Sequence, residues 1–152
     1  MANFCILGVF LFAFVVGQTT ADCGECPEGW LMFRDFCYKR TGYESYMDAK
    51  ADCAALGAQL AAPHDADEAN FMITMIHPYL WVGCNDIDTE GTFVCCDGTV
   101  STYTNWRAGE PNDAQSNGGE DCGVIYGNGD YNDINCSWSS TGVCKKHVTA
   151  FL

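Results

Sequence analysis

The hydrophobic rhythm of this chain changes several times, and each change predicts a different element. Phe4 to Val16 is an apolar run of 13 residues, followed by Gly17-Gln18-Thr19-Thr20-Ala21. The run is shorter than the roughly 20 apolar residues of a membrane-spanning helix. Its small-residue exit predicts a secretory signal peptide over residues 1–21, cleaved after Ala21. No basic residue precedes the run, so only the α-amino group supplies positive charge there. Residues 22–152 remain, enough for a single domain. No other stretch could cross a membrane.

Within that domain, Cys26 to Phe33 and Phe36-Cys37-Tyr38 read as two short strands around an Arg34-Asp35 turn. From Ser45 to Leu56 the pattern switches to helical period. Tyr46, Ala49, Cys53 and Leu56 share one face, and Gly57 stops the helix. A second helix starts at Asp65, whose spacing to Glu68 resembles a capping box. Phe71, Met72, Met75 and Ile76 supply its apolar face, and Pro78 ends it. After Leu80-Trp81-Val82-Gly83 the periodicity is lost. Cys84 to Gly119 reads as loop with short strands, a length that in a compact domain marks function or disorder. The cysteines and Trp106 argue for order. Gly123–Tyr126, Ser137-Trp138 and Gly142–Cys144 read as closing strands.

Charge narrows the function classes. Seven Lys and Arg stand against twenty Asp and Glu, a formal net charge of −13. Such a chain lacks the cations that bind nucleic acid or an anionic membrane. Its acidity also implies self-repulsion unless cations neutralise part of it. Eleven cysteines are present, and ten remain once Cys5 leaves with the signal peptide. In a secreted chain they form disulfides, and Cys23-Gly24-Glu25-Cys26 is read that way rather than as a metal or redox motif.

The acidic residues cluster. Glu110-Pro111-Asn112-Asp113, Glu120-Asp121-Cys122 and Tyr131-Asn132-Asp133-Ile134-Asn135-Cys136 follow one another with no Lys or Arg from Glu110 to Cys136. An oxygen-rich, glycine-framed set of this kind suits Ca²⁺, which takes 6–8 oxygen ligands.

These pieces together resemble the C-type lectin-like domain. In family order the chain carries Cys26-Pro27-Glu28-Gly29-Trp30, the helix with Cys53, then Gly57, Leu60 and Trp81-Val82-Gly83. Glu90-Gly91-Thr92-Phe93, Asn105-Trp106, Glu110-Pro111-Asn112, Cys122, Asn132-Asp133, Cys136 and Cys144 follow. The resemblance implies an α+β fold with two helices, small antiparallel sheets, a long calcium-binding loop region and bracing disulfides. It implies the pairs Cys26–Cys37, Cys53–Cys144 and Cys122–Cys136. Cys23, Cys84, Cys95 and Cys96 are left over. Neighbours on a strand face opposite ways, so Cys84 pairs with either Cys95 or Cys96. The other is left for Cys23, or either is left for a link between two chains.

The resemblance also assigns a binding site. Glu110, Asn112, Glu120, Asn132 and Asp133 fall on the ligands of a principal Ca²⁺, through which vicinal sugar hydroxyls are bound. Asp86, Glu90, Asp113 and Asp121, with the backbone of Glu120, fall on an auxiliary Ca²⁺, so one or two ions are implied. The Glu-Pro-Asn order goes with mannose, N-acetylglucosamine, glucose or fucose termini, and a cis Glu110–Pro111 bond is expected. Tyr131 stands where the family has Trp. Glu110 and Glu120 lie ten residues apart, further than in many mannose-type members. The extra residues fall within Ala114–Gly119, so secondary sugar contacts do not carry over. Ala114 offers no stacking face; Tyr126 or Tyr131 could, and both also read as structural residues.

The expected function is therefore a secreted, extracellular glycan-binding protein of innate recognition, free or as a homodimer or higher oligomer. A protein- or mineral-binding member of the same fold is the alternative. His64, His77 and His147 are scattered and no nucleophile accompanies them, so an enzyme is not expected.

Overall fold

The computed structural model describes residues 24–75, 78–115 and 118–149. The signal-peptide segment, Cys5, Cys23, Ile76 and His77 lie outside the described residues. Strands β1 (Leu31–Phe33) and β2 (Phe36–Glu44) precede helix α1 (Tyr46–Ala55); β3 (Gln59–Leu60) leads to helix α2 (Ala66–Thr74). Then come β4 (Tyr79–Asn85), β5 (Val94–Cys95), β6 (Cys122–Tyr126), β7 (Tyr131–Ile134) and β8 (Ser140–His147).

The expected small antiparallel sheets are joined into one. Its order is β1-β2-β8-β4-β6-β7, with β3 on β8 and β5 on β4. The joint is a parallel pairing between β4 and β8, with Leu80 opposite Thr141. The ends of the domain meet at a bridge between Glu25 and Thr149. Among the described residues no helix is long and apolar enough to cross a membrane.

Both helices start where their caps dictate. Ser45 Oγ accepts the Asp48 N–H at 3.2 Å, and Asp65 accepts the Glu68 N–H at 2.9 Å, caps worth about 1 kcal/mol each. The reciprocal contact of α2 differs from a regular capping box: Glu68 accepts the N–H of His64, one residue before the cap. The Glu68 carboxylate is buried and also takes the Tyr38 hydroxyl at 2.8 Å and the ammonium of Lys145. This polar staple fixes α2 to β2 and β8.

Helix α1 buries Tyr46, Ala49 and Cys53 as their spacing predicts. Leu56 does not join them; it is 41% exposed. The helix has already ended at Leu56, and Gly57 at φ +63° turns the chain away. Ser137-Trp138 is also corrected: it is a turn, not a strand. Asn135 Oδ1 accepts from the Ser137 N–H at 2.9 Å and its hydroxyl at 2.6 Å, a local alternative to strand pairing.

Two core clusters meet at the sheet. One gathers Tyr38, Met72, Val82, Ile125, Tyr131 and Val143; the other Tyr46, Leu60, Trp81, Val124 and Ile134. Disulfides Cys26–Cys37, Cys53–Cys144 and Cys122–Cys136 form as the resemblance implies. Cys84 bonds Cys95, its partner in the β4–β5 register. Cys96 packs against the other cluster, its sulfur 4.0 Å from the Tyr46 hydroxyl, and has no disulfide partner among the described residues.

Gly83 sits where strands leave no room for a side chain. Its N–H donates to Ala61 at 2.8 Å and its carbonyl accepts from Cys96 at 2.7 Å. A Cβ here would overlap the backbone carbonyl of Leu60. Gly83→Ala is expected to destabilise by about 3 kcal/mol or more, lowering Tm by roughly 6–12 °C. A thermal melt within 2 °C of the parent, read with that same conversion, would contradict this packing.

Candidate functional site

The acidic loops converge at the end of the β6–β7 ribbon. Arg107 begins the approach: its N–H donates to Tyr131 at 2.9 Å, and its carbonyl accepts the Glu110 N–H at 3.0 Å. The Glu110–Pro111 bond is cis, as expected. Asp133, on β7 and 1% exposed, then holds the loop. Its carboxylate accepts the N–H of Asn112 at 3.0 Å and of Asp113 at 2.8 Å. Asp113 turns back at φ 43° and accepts the Glu120 N–H at 2.9 Å. Asn135 Nδ2 donates to Gly119 at 3.1 Å. Glu110, Asn112, Glu120, Asn132 and Asp133, 23 residues apart along the chain from first to last, are thereby tied into one cluster.

The electrostatics of that cluster are unfavourable as it stands. Burial pushes the Glu110 carboxyl up, and the charge and close approach of Asp133 push it further, while Arg107 pulls it down. Burial also raises Glu120, followed by the charge of Asp133 and more weakly those of Glu110 and Asp113; the Ala114 N–H opposes them. Glu110 Oε2 and Asn132 Oδ1 are buried with no hydrogen-bond partner among the described residues. Buried oxygens without donors are rare and costly. A hard cation would satisfy both oxygens and offset the repulsion. The donor set fits Ca²⁺: carboxylate and amide oxygens, with no Cys or His among them.

A second group lies beside the first. Asp86, Glu90 and Asp121 each offer a carboxylate oxygen, all within 4.8 Å of one another. Asp86 follows β4 and is buried; its Oδ2 accepts the Gly91 N–H at 2.8 Å, and its Oδ1 has no partner among the described residues. Burial raises its carboxyl, with the Asp121 charge adding. Glu90 is raised by desolvation, then by the charges of Asp86, Asp113 and Asp121. Asp113 stands apart from this trio. Its two oxygens accept from Glu120 N–H and the Gln115 amide. It acts first as the brace of the loop.

Two further residues have places the sequence left open. Tyr131 is 2% exposed and packs edge-on against Tyr103 and Trp106, so it offers no stacking face. Arg107, which the sequence pattern did not single out, places its guanidinium over the Tyr126 ring at 5.7 Å. Only its spacing from Glu110 could have pointed to it. The two described histidines have partners outside the cluster: His64 pairs with Asp97 at 3.0 Å, and His147 lies against Phe36.

The comparisons with known proteins agree with this architecture. The family model described as the Lectin C-type domain matches residues 43–146. The low affinity immunoglobulin epsilon Fc receptor of mouse is 35% identical over 138 residues, 89% of this chain and 41% of the receptor. The rat versican core protein is 37% identical over 125 residues, 80% of this chain and 4% of versican. The chain thus spans less than half the length of these relatives. Among solved structures, the cow CD23 carbohydrate-recognition domain, crystallised in the presence of GlcNAc2Man3 oligosaccharide, superposes with TM-score 0.78 at 34% identity. It covers 84% of this chain and 100% of that domain. A calcium-independent type II antifreeze protein shares the fold at TM-score 0.77 and 23% identity, covering 85% of this chain and 99% of its own. The fold alone therefore does not decide the ligand. The matched family is a lectin domain rather than an enzyme family. With the ordered motifs, the two helices on a mixed sheet and the four disulfides all in agreement, the chain belongs to the C-type lectin domain family.

Proposed function

We propose that this chain is a secreted, Ca²⁺-dependent glycan-binding domain that takes mannose-type termini at Glu110, Asn112, Glu120, Asn132 and Asp133. The observation that carries the reading is a pair of buried oxygens without donors among the described residues, Glu110 Oε2 and Asn132 Oδ1, set among mutually repelling carboxylates. Bound Ca²⁺ supplies the coordination positions at which two vicinal sugar hydroxyls are held. The carboxylates of Glu110 and Glu120 accept the hydroxyl protons, and the amides of Asn112 and Asn132 donate to the hydroxyl oxygens. Asn132 Nδ2 already gives one hydrogen to the Asp133 carbonyl at 2.7 Å, which orients Oδ1 and leaves the second hydrogen for a ligand. Asp133, fixed by two backbone N–H groups, holds the Glu-Pro-Asn loop against β7. Asp86, Glu90 and Asp121, braced by Asp113, hold the auxiliary ion. A single such site binds a monosaccharide at about −4 kcal/mol, a millimolar constant; presentation of several sites adds roughly 10²–10⁴-fold.

The test is retention on immobilised mannose in Ca²⁺, followed by elution with EDTA or free galactose. Release by EDTA and not by galactose is expected. No retention, while Ca²⁺ still raises Tm, would replace this reading with a calcium-stabilised domain that binds protein or mineral.

Acid should reverse the binding. Glu110, Glu120, Asp86 and Glu90 are all held above their ordinary range. They take up protons at a higher pH than the usual ~4 to 4.5 of free carboxyls, and proton uptake competes with Ca²⁺. The sign in the Ca²⁺-free protein is opposite to that of a salt-bridged carboxylate. A raised folded-state pKa means stability present at low pH and lost as pH rises through that pKa. The gain in Tm on adding Ca²⁺ should therefore grow as pH rises from about 4.5 to 7. A gain that stays flat over this range would remove these four carboxylates from the ion sites.

A further inference from the structure

Asn135-Cys136-Ser137 is the one place in the sequence where an Asn is followed two positions on by Ser or Thr. That spacing is the acceptor pattern for N-linked glycosylation in a chain that enters the secretory pathway. We propose that Asn135 is an N-glycosylation site, and that its glycan and the closed Glu120 loop compete for one nitrogen, Asn135 Nδ2. Such a site requires the secretion that the reading above assigns.

The local geometry has the features of an acceptor. Asn135 follows β7 and opens a turn that the Trp138 N–H closes on its carbonyl at 3.0 Å. Ser137 and Trp138 are exposed on that turn. The Ser137 hydroxyl and N–H both donate to Asn135 Oδ1, at 2.6 and 2.9 Å. The hydroxyl that completes the acceptor pattern is thus held against the acceptor amide. Transfer joins Nδ2 to the anomeric carbon of an oligosaccharide carried on a lipid pyrophosphate. The bond from that carbon to the pyrophosphate oxygen breaks, the lipid pyrophosphate leaves, and the amide loses one proton.

In the folded domain the same nitrogen has another use. Nδ2 donates to the Gly119 carbonyl at 3.1 Å, and a Cβ on Gly118 would stand 4.0 Å from it. The backbone that leads into Glu120 is therefore seated on the acceptor atom. A glycan replaces one of the two amide hydrogens and puts a sugar ring where the loop rests. Asn135 is half-buried, and Cys136 beside it is tied to Cys122. Transfer accordingly belongs to the extended chain, before β6 pairs with β7 and the disulfide forms. A chain glycosylated first folds with Gly118 and Gly119 lifted and Glu120 drawn from Asp113. A chain folded first has its acceptor covered. Occupancy at Asn135 sets the fraction of molecules that close the loop.

The experiment is expression of the full chain in cultured animal cells as the parent, Ser137→Ala and Ser137→Thr. Protein from the medium is weighed by mass spectrometry before and after peptide N-glycosidase, and the modified peptide is mapped. The parent and Ser137→Thr should carry a glycan on Asn135, and Ser137→Ala none. Hydrogen exchange in EDTA is then compared between glycosylated parent and parent from cells whose lipid-linked oligosaccharide synthesis is blocked. The Glu120 amide, which donates to Asp113 at 2.9 Å, should exchange about fivefold faster in the glycosylated protein, the worth of one net hydrogen bond. Secreted parent without a glycan overturns the site and leaves the glycan-binding reading standing. A glycan on Asn135 with equal exchange in the two proteins overturns the competition. Parent that stays inside the cell unmodified overturns the secretion reading and the site with it.

Discussion

Glu120→Gln is expected to abolish retention on mannose while the domain stays folded. The variant loses one charged oxygen ligand and one hydroxyl acceptor from the proposed principal site. Even losing a residue that only supports a ligand typically weakens metal affinity by 10–100-fold, and Glu120 is proposed as a ligand itself. On a monosaccharide interaction that starts near −4 kcal/mol, that takes binding below detection. The backbone contact that locks the loop survives, since Glu120 N–H, not its side chain, donates to Asp113. Removing the charge also relieves repulsion from Asp133, Glu110 and Asp113. The Ca²⁺-free Tm should therefore stay level or rise, while the Ca²⁺-bound Tm falls. Asn132→Asp should likewise disrupt sugar binding, because it removes the amide donor and adds a charge beside a carboxylate cluster. Exchanging Glu110 for Gln together with Asn112 for Asp reverses acceptor and donor order and should move elution preference from mannose to galactose. Normal mannose retention by Glu120→Gln, measured on the same column with circular dichroism to confirm the fold, would place the site elsewhere.

Replacing Cys53 and Cys144 together by Ala should cost about 4–5 kcal/mol. The bridge closes a loop with a sequence separation of 91 residues, and the chain-entropy model gives this magnitude for a loop of that length. It also joins α1 to β8 across the cluster of Tyr46, Leu60, Trp81 and Val124. For a domain of this size the expected fall in Tm is roughly 8–20 °C. The loss should be the same with and without EDTA, because the bridge lies in the core between α1 and β8, which carry none of the proposed ion ligands. By contrast, the Cys122–Cys136 bridge borders the β6–β7 ribbon. Its removal should lower Ca²⁺ affinity as well as Tm. A double Ala variant at 53 and 144 that melts within 3 °C of the parent, about 1 kcal/mol, would show that the sheet holds α1 without it.

Much of this was legible in the chain. The 3–4 spacing of Tyr46, Ala49 and Cys53 with a Ser45 cap gave α1, since a helix start is a local hydrogen-bond decision. Asp65 gave α2 in the same way. The reading failed where local and tertiary demands diverged. Leu56 continued the apolar spacing, but Gly57 ended the helix before it could turn inward. Ser137-Trp138 had strand composition, yet Asn135 captured the backbone in a turn. The cysteine next to Cys95 could not be sorted by sequence; strand alternation and the β4–β5 register chose Cys95 for Cys84 and left Cys96 without a disulfide partner among the described residues.

The site divides along the same line. The sequence by itself determined which oxygen donors are present, their order, and the cysteines that brace them, because residue type and covalent order are what a family pattern records. Only the tertiary structure decided that Asp133 anchors Asn112 and Asp113, that Asp113 braces the loop, and that Tyr131 is core. Those facts depend on sheet register and on which buried groups find partners. Both are set by contacts between residues far apart in the chain, which no local pattern encodes.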